Sequence, residues 1–257
     1  METGGFVVLV DLDDTLLPDW SAAWAAVEDT LHSVGVERPS EAVRSVFAAA
    51  RSRWRSGPYF ERLRDLGISS WEALWADLTL VSVPQAAVWG QRYRAEVWGE
   101  VLRTAGVDAD REDAARQFVR HRQALVRPFP GAAGFVARMA RDHEVWLITN
   151  GASRLQRLKL SLSGLEEHVA RVFVSSEVGY AKPHPGFFQA VSDAFTRDQS
   201  VCLVVGDSLD KDVRPALARG WPAVHLCGDP DDSDGPWTRV SVIGEVVPPC
   251  AHGPDLS

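Results

Sequence analysis

Five short apolar runs, each stopped by Gly, Asn, Asp or Glu, limit what this chain can fold into more than any other feature. They are FVVLVD (6–11), HEVWLITNG (143–151), ARVFVSSE (170–177), SVCLVVGD (200–207) and WPAVHLCG (221–228). Near-continuous Val, Leu, Ile and Phe over so few residues predicts strands buried on both faces, as in a parallel sheet. Helix-like segments at 131–141, 152–168, 184–195 and 210–219 lie around and between the later runs. Strand alternating with helix predicts an α/β fold, a doubly wound parallel sheet whose ligand site lies beyond the carboxyl ends of the strands.

Between the first run and the second the rhythm breaks. Trp20, Ala23, Trp24, Val27, Leu31 and Val34 step by three or four until Gly35, and helical spacing continues over 40–54, 69–79, 84–105 and 110–126. This predicts an all-helical insert at 18–127, with Pro18, Pro128 and Pro130 at its edges, and a core made of 1–17 and 128–247. Seven of the ten tryptophans fall between residues 20 and 98, and their spacing predicts helix packing rather than stacking on a ligand. Residues 239–247 predict one last small strand and helical turn, and the composition of 248–257 predicts a disordered tail.

Composition narrows the function classes. At 257 residues and 46% apolar the chain can bury a sizeable core. A net charge of -8 argues against a general polyanion-binding surface, so nucleic acid is not an expected partner. No stretch reads as a secretory signal, and no apolar run approaches the roughly 20 residues needed to span a bilayer, so no membrane partner is expected. Cys202, Cys227 and Cys250 have no CxxC spacing and support neither a disulfide framework nor a zinc site. A cytoplasmic location is the expectation.

The chemistry-bearing residues sit where the apolar runs stop. The first run ends in Asp11, Asp13 and Asp14, with Thr15 behind them. Strand alternation aims Asp11 and Asp13 to one side, where two carboxylates repel unless a cation or a shared proton relieves them. Mg²⁺ suits an oxygen-only site that also receives phosphate. Alone, the motif can also be a solvated turn with helix-capping aspartates, the less favoured of the two readings. The second run ends in Thr149, Asn150 and Gly151, a hydroxyl and backbone N–H groups at a helix start, which can bind an anion or simply turn the chain. After the third run, Lys182 precedes Pro183 and can neutralise carboxylates and phosphate together. The fourth ends in Gly206-Asp207 and continues to Asp212.

That ordered set resembles the haloacid dehalogenase (HAD) superfamily of aspartate-nucleophile phosphatases. Asp11-Leu12-Asp13-Asp14-Thr15-Leu16 matches its first motif, Thr149-Asn150-Gly151 the second, Lys182-Pro183 the third, and Gly206-Asp207 through Asp212 the fourth. The insert resembles the helical cap of the subfamily capped between motifs one and two. The resemblance implies a Rossmann-like core and a nucleophilic Asp11, with Asp13 as general acid and base. It also implies Mg²⁺ held by the Asp11 carboxylate, the Asp13 backbone carbonyl and Asp207. Thr149, Asn150, Gly151 and Lys182 would bind the phosphoryl group, with Thr15 and Asp212 supporting from behind. Asp14 and Asp210 read as turn and helix-start residues.

The dehalogenases of this superfamily lack an acid two residues after the nucleophile, so Asp13 favours phosphoryl transfer. A phosphomutase uses both aspartates and stays open. A signalling receiver domain also gathers acids, Thr and Lys around Mg²⁺, but its phospho-accepting aspartate follows a later strand, and it has no large insert. A non-catalytic interaction protein is disfavoured because every motif position is intact. A cap over the site implies a small phosphorylated metabolite, of nucleotide or sugar/cyclitol phosphate type. Six arginines of the insert (Arg51, Arg53, Arg55, Arg92, Arg94, Arg122) read as solvated helix faces.

Overall fold

β1 (Phe6–Val10) is apolar on both faces and buried from Val7 onward, so it must be covered on both sides and lie inside a sheet. In the computed structural model, which describes residues 6–80, 82–196, 199–227 and 235–246, it pairs in parallel with β2 (Glu144–Thr149) and β4 (Ser200–Gly206). β3 (Arg171–Val174) lies beyond β2, and β5 (Ala223–Leu226) and β6 (Thr238–Val240) lie beyond β4. The order is β3-β2-β1-β4-β5-β6. The chain therefore runs outward from β1 in both directions, and the ends of β1, β2 and β4 form the switch point at which open α/β sheets bind ligands. This order also differs from the 2-1-3-4-5 order of receiver domains.

Five helices follow β1: α1 (Asp19–Ser33), α2 (Pro39–Arg55), α3 (Phe60–Asp65), α4 (Ala86–Ala105) and α5 (Arg111–Ala124). They bury an apolar cluster that includes Val27, Leu31, Val46, Trp54, Trp98 and Phe118 and reaches Ala152 and Leu155. The helix predicted over 69–79 is only a 3-10 turn, Glu72–Leu74. Glu72, Ala73, Leu74, Trp75 and Ala76 are all buried in succession. A one-faced helix cannot bury five consecutive residues, so tertiary contacts override the helical spacing here. α3 lies in a stretch where no helix is predicted.

The remaining helices flank the sheet: α6 (Ala132–Asp142), α7 (Ser153–Leu162), the single turn α8 (Ser175–Val178), α9 (Pro185–Ser192) and α10 (Arg214–Leu217). Alternate side chains of β1 and β2 go to opposite faces. Val8, Val10, Val145 and Leu147 pack with Phe135, Val136 and Met139 of α6, while Val7, Leu9, Trp146 and Ile148 pack with Phe187, Phe188 and Val191 of α9. The helix predicted over 152–168 stops at Leu162, before Gly164 with its positive φ, and resumes as a 3-10 turn at Glu166–His168. The one predicted over 210–219 divides into a π turn, Leu209–Val213, and α10. β6 and a 3-10 turn at Ile243–Glu245 are the small terminal elements that 239–247 predicts. The tail at 248–257, which includes Cys250, and the side chain of Cys202 lie outside the described residues. No helix among the described residues is long and apolar enough to cross a membrane.

Candidate active site

Asp11 extends the β1 ladder by one residue, its N–H donating to Val205 O at 2.9 Å. The chain then turns sharply: Leu16 and Leu17 N–H both donate to Leu12 O, and Asp14 takes a positive φ of 58°. Asp14 is the turn residue that the sequence suggests, and its Oδ1 accepts the Trp20 N–H at the start of α1. This turn separates the two carboxylates that strand alternation alone places side by side.

The buried Asp11 carboxylate faces Lys182, whose Nζ donates to Asp11 Oδ1 at 2.7 Å, to Asp212 Oδ1 at 2.6 Å and to Ile148 O at 2.8 Å. All three protons of the ammonium are thus engaged. The loop carrying Lys182 is held by Asn150, whose Oδ1 accepts the Lys182 N–H at 2.8 Å while its Nδ2 donates to Lys182 O at 2.9 Å. On the other side, Thr15 joins β1 to the end of β4. Its hydroxyl accepts the Asp207 N–H at 2.9 Å and lies 3.2 Å from Asp11 Oδ2 and 3.4 Å from Asp207 Oδ1, either of which can take its proton. Asp212 closes against the strand end. A Cβ at Gly206 would stand 2.5 Å from the Asp212 Cβ, so only glycine allows that approach.

Carboxylate oxygens of Asp11, Asp207 and Asp212 lie within 4.8 Å of one another. Burial first, then the charges of Asp11 and Asp212, push Asp207 up to about 7. Burial raises Asp212 to about 6 in spite of Lys182. Three carboxylates sharing one lysine are short of positive charge, and an all-oxygen donor set of this kind fits a hard divalent cation.

Asp13 lines the same cavity but is held by a different set of groups. Lys159 of α7 donates to its Oδ1 at 2.8 Å and Oδ2 at 2.9 Å, and Gln156, one turn earlier on the same helix, donates to Oδ2 at 2.9 Å. The same Lys159 Nζ reaches Asp19 Oδ1 at 2.8 Å, and Arg122 reaches that oxygen from α5. Burial and the nearby Asp19 raise Asp13 to about 6 against the pull of Lys159. Burial works against ionisation of Asp19 too, yet Lys159 and Arg122 together hold it down at about 2. Arg122 is therefore no solvated helix-face residue, as its sequence context suggests; it is fully buried, with its guanidinium 4.4 Å from the Trp75 ring centroid.

A cavity of about 160 Å³ opens over these groups. Asp11, Thr149, Asn150 and Lys182 line it from the core, and Ser69, Trp71 and Glu72 from the insert. Glu72 reaches across: its Oε1 accepts the Ala152 N–H at 2.9 Å and its Oε2 the Ser69 N–H at 3.3 Å. Burial, opposed by Lys159 and reinforced by Asp13, pushes Glu72 up to about 7. Gly151 is not among the lining residues. Its N–H donates to Ser175 Oγ at 2.8 Å, and with φ at +137° a Cβ there would meet Gln156 Nε2 at 2.3 Å and Glu72 Oε1 at 2.4 Å. It is the close-approach glycine of the site, where insert and core meet. Sequence reasoning did not find Glu72, Gln156 or Lys159; the available signal for the last two is a pair of polar residues at helical spacing on a helix whose Leu155 and Leu160 are core.

A family model described as "Hydrolase: haloacid dehalogenase-like hydrolase" matches residues 7–220. Phosphoserine phosphatase of Thermus thermophilus is 35% identical over 245 residues, covering 93% of this chain and 97% of the relative. Pyrimidine 5'-nucleotidase YjjG of Escherichia coli is 29% identical over 174 residues, 66% of this chain and 74% of the relative. Among solved structures, the HAD-hydrolase YfnB of Bacillus subtilis, bound to magnesium, superposes with a TM-score of 0.61 at 18% identity over 92% of this chain and 94% of its own. The 2-haloacid dehalogenase of Pseudomonas syringae pv. Tomato does so with a TM-score of 0.56 at 21% identity over 93% and 95%. These two share the fold. The chain belongs to the haloacid dehalogenase-like hydrolase family, and its relatives by sequence put it among the phosphatases of that family.

Proposed function

We propose that the protein is a Mg²⁺-dependent phosphatase that hydrolyses a small phosphorylated metabolite through a phospho-aspartyl intermediate on Asp11. The observation that carries this reading is the position of Asp11. It lines the cavity, is held through one oxygen by Lys182, and shares an all-oxygen cluster with Asp207 and Asp212. Asp11 attacks phosphorus as the bond to the leaving oxygen breaks, and Asp13 gives that oxygen its proton. In the second half, Asp13 takes a proton from water, whose oxygen attacks phosphorus and releases phosphate and Asp11.

Thr149 and Asn150 hold the phosphoryl oxygens, and Lys182, whose three protons are engaged, acts on the phosphoryl group through its charge, offsetting that of both nucleophile and ester. Gly151 shapes the turn that presents them. Asp11, Asp207 and the Asp13 backbone carbonyl would hold Mg²⁺, with Asp212 beside them. When bound, the ion supplies the positive charge that lets an anionic nucleophile approach an anionic ester.

Two observations favour a substrate smaller than a nucleotide or a sugar phosphate. A cavity of about 160 Å³ falls below the roughly 300 Å³ at which ordinary small-molecule sites begin. The Thermus thermophilus relative, matched over nearly both whole lengths, is a phosphoserine phosphatase. O-phosphoserine is accordingly the first candidate. Phosphate release with Mg²⁺ should be fastest, by kcat/KM, on O-phosphoserine in a panel with uridine monophosphate and glucose 6-phosphate. Asp11→Asn should lose at least about 10³-fold. Unchanged turnover by Asp11→Asn would remove the nucleophile, and preference for the nucleotide would remove the substrate size.

A further inference from the structure

We propose that Lys159 is a positioning residue for proton transfer, aiming the Asp13 carboxyl at the leaving oxygen; this rests on the reading of Asp13 as general acid and base. Lys159 is buried, and its ammonium fork grips both Asp13 oxygens and Asp19 Oδ1 at 2.8 to 2.9 Å. A compact ammonium on a flexible stem fixes a partner only if its own position is fixed. Asp19 does that, because Arg122 of α5 and the Trp71 indole, from the segment after α3, hold its carboxylate. Gln156 adds a second hold on Asp13 Oδ2, and its Nε2 also donates to Asn150 O at 2.6 Å. In that pose Gln156 Oε1 is buried with no partner among the described residues. Leaving a buried acceptor unmade is unfavourable, and the grip on Asp13 accounts for it.

The hydrogen bonds distinguish the two oxygens. Oδ2 accepts from both Lys159 and Gln156, whereas Oδ1 accepts from Lys159 alone. A carboxylate oxygen has two lone pairs, so Oδ1 is the one with room for the transferable proton. As the P–O bond breaks, that proton passes to the leaving oxygen and leaves a carboxylate already paired with Lys159, which keeps all three of its own protons.

A merely structural lysine would affect all substrates alike; a positioning one matters only when the leaving group needs a proton. The test compares kcat/KM, which covers the steps through departure of the leaving group, on phenyl phosphate and 2,4-dinitrophenyl phosphate with Mg²⁺. Lys159→Met should lose about 10²-fold on the phenyl ester and stay within about threefold on the dinitrophenyl ester, whose leaving group departs unprotonated. Asp13→Asn should show the same selectivity. Equal loss on both esters by Lys159→Met, with Asp13→Asn selective, overturns the role of Lys159. An unselective Asp13→Asn instead overturns the reading of Asp13 itself. If Lys159→Met fails to fold by circular dichroism, Gln156→Met carries the test. It removes one hold and no charge and should be selective in the same direction, and equal loss there overturns the inference as well.

Discussion

Seven buried or half-buried acids line one cavity, and what each faces sets its behaviour. Asp11 has Lys182, Asp13 and Asp19 share Lys159, and Glu72 has only the backbone N–H groups of Ala152 and Ser69. Its pKa rises from 4.5 to about 7, so the folded protein keeps a proton that the unfolded chain releases in that interval. The stability Glu72 contributes is full below about 4.5 and is lost as pH rises through about 7, on the order of 3 kcal/mol in all. Glu72→Gln cannot titrate, so thermal melts from about pH 5 to pH 8 should show the variant gaining several degrees on the wild type as pH rises. A difference flat across that range would show that Glu72 does not titrate there. Asp11, Asp13, Lys182, Asp207 and Asp212 were legible in the sequence as candidates because they follow successive apolar runs in one order, which a single helix-capping turn does not explain. Glu72 and Lys159 were not, because each sits in a helical pattern and acquires its role from a partner 80 or 146 positions away.

The insert is pinned where it leaves and rejoins the core. Phe129 N–H donates to Leu16 O at 2.8 Å, so the outgoing and returning connections run side by side. Asp19, the first residue of α1, receives Arg122 from α5 and Lys159 from α7. Arg122→Met leaves Asp19 buried with half its counter-charge. Breaking such a pair costs about 3 to 5 kcal/mol, and the retained Lys159 puts this case near about 3. Urea unfolding should show that loss with an unchanged slope; a loss under about 1 kcal/mol would mean the pair is not what fixes α1 to α5. Helices α1, α2, α4 and α5 were readable from spacing because each buries one stripe. The segment after α3 was not, because it is buried all round and carries the insert's contribution to the cavity.

At the scale of the whole molecule, the alternation of apolar run and helix was enough to imply a doubly wound sheet, and the rule that ligands bind at its switch point was enough to locate the cavity. Strand order was not in the pattern; it follows from which faces pack. Asp207 and Asp212 raise the electrostatic cost of the folded state as they ionise, since burial and the neighbouring carboxylates push them up to about 7 and about 6. Millimolar MgCl₂ should therefore raise the melting temperature, by an increment equivalent to about 2.7 kcal/mol at a hundredfold excess over Kd. The rise should be larger at about pH 8 than at about pH 5, where protons compete for the same oxygens. Asp207→Asn should abolish most of the increment, and an increment that survives it would place the ion elsewhere. The Asp11 amide, bonded to Val205 O on the strand flanked by β2 and β4, has a consequence for exchange with solvent. Its deuterium uptake should wait for global opening, while amides at the outer helix ends exchange through local fraying. The candidate nucleophile is thus tied to the slowest-opening part of the chain, and heat should extinguish turnover only when the entire sheet comes apart.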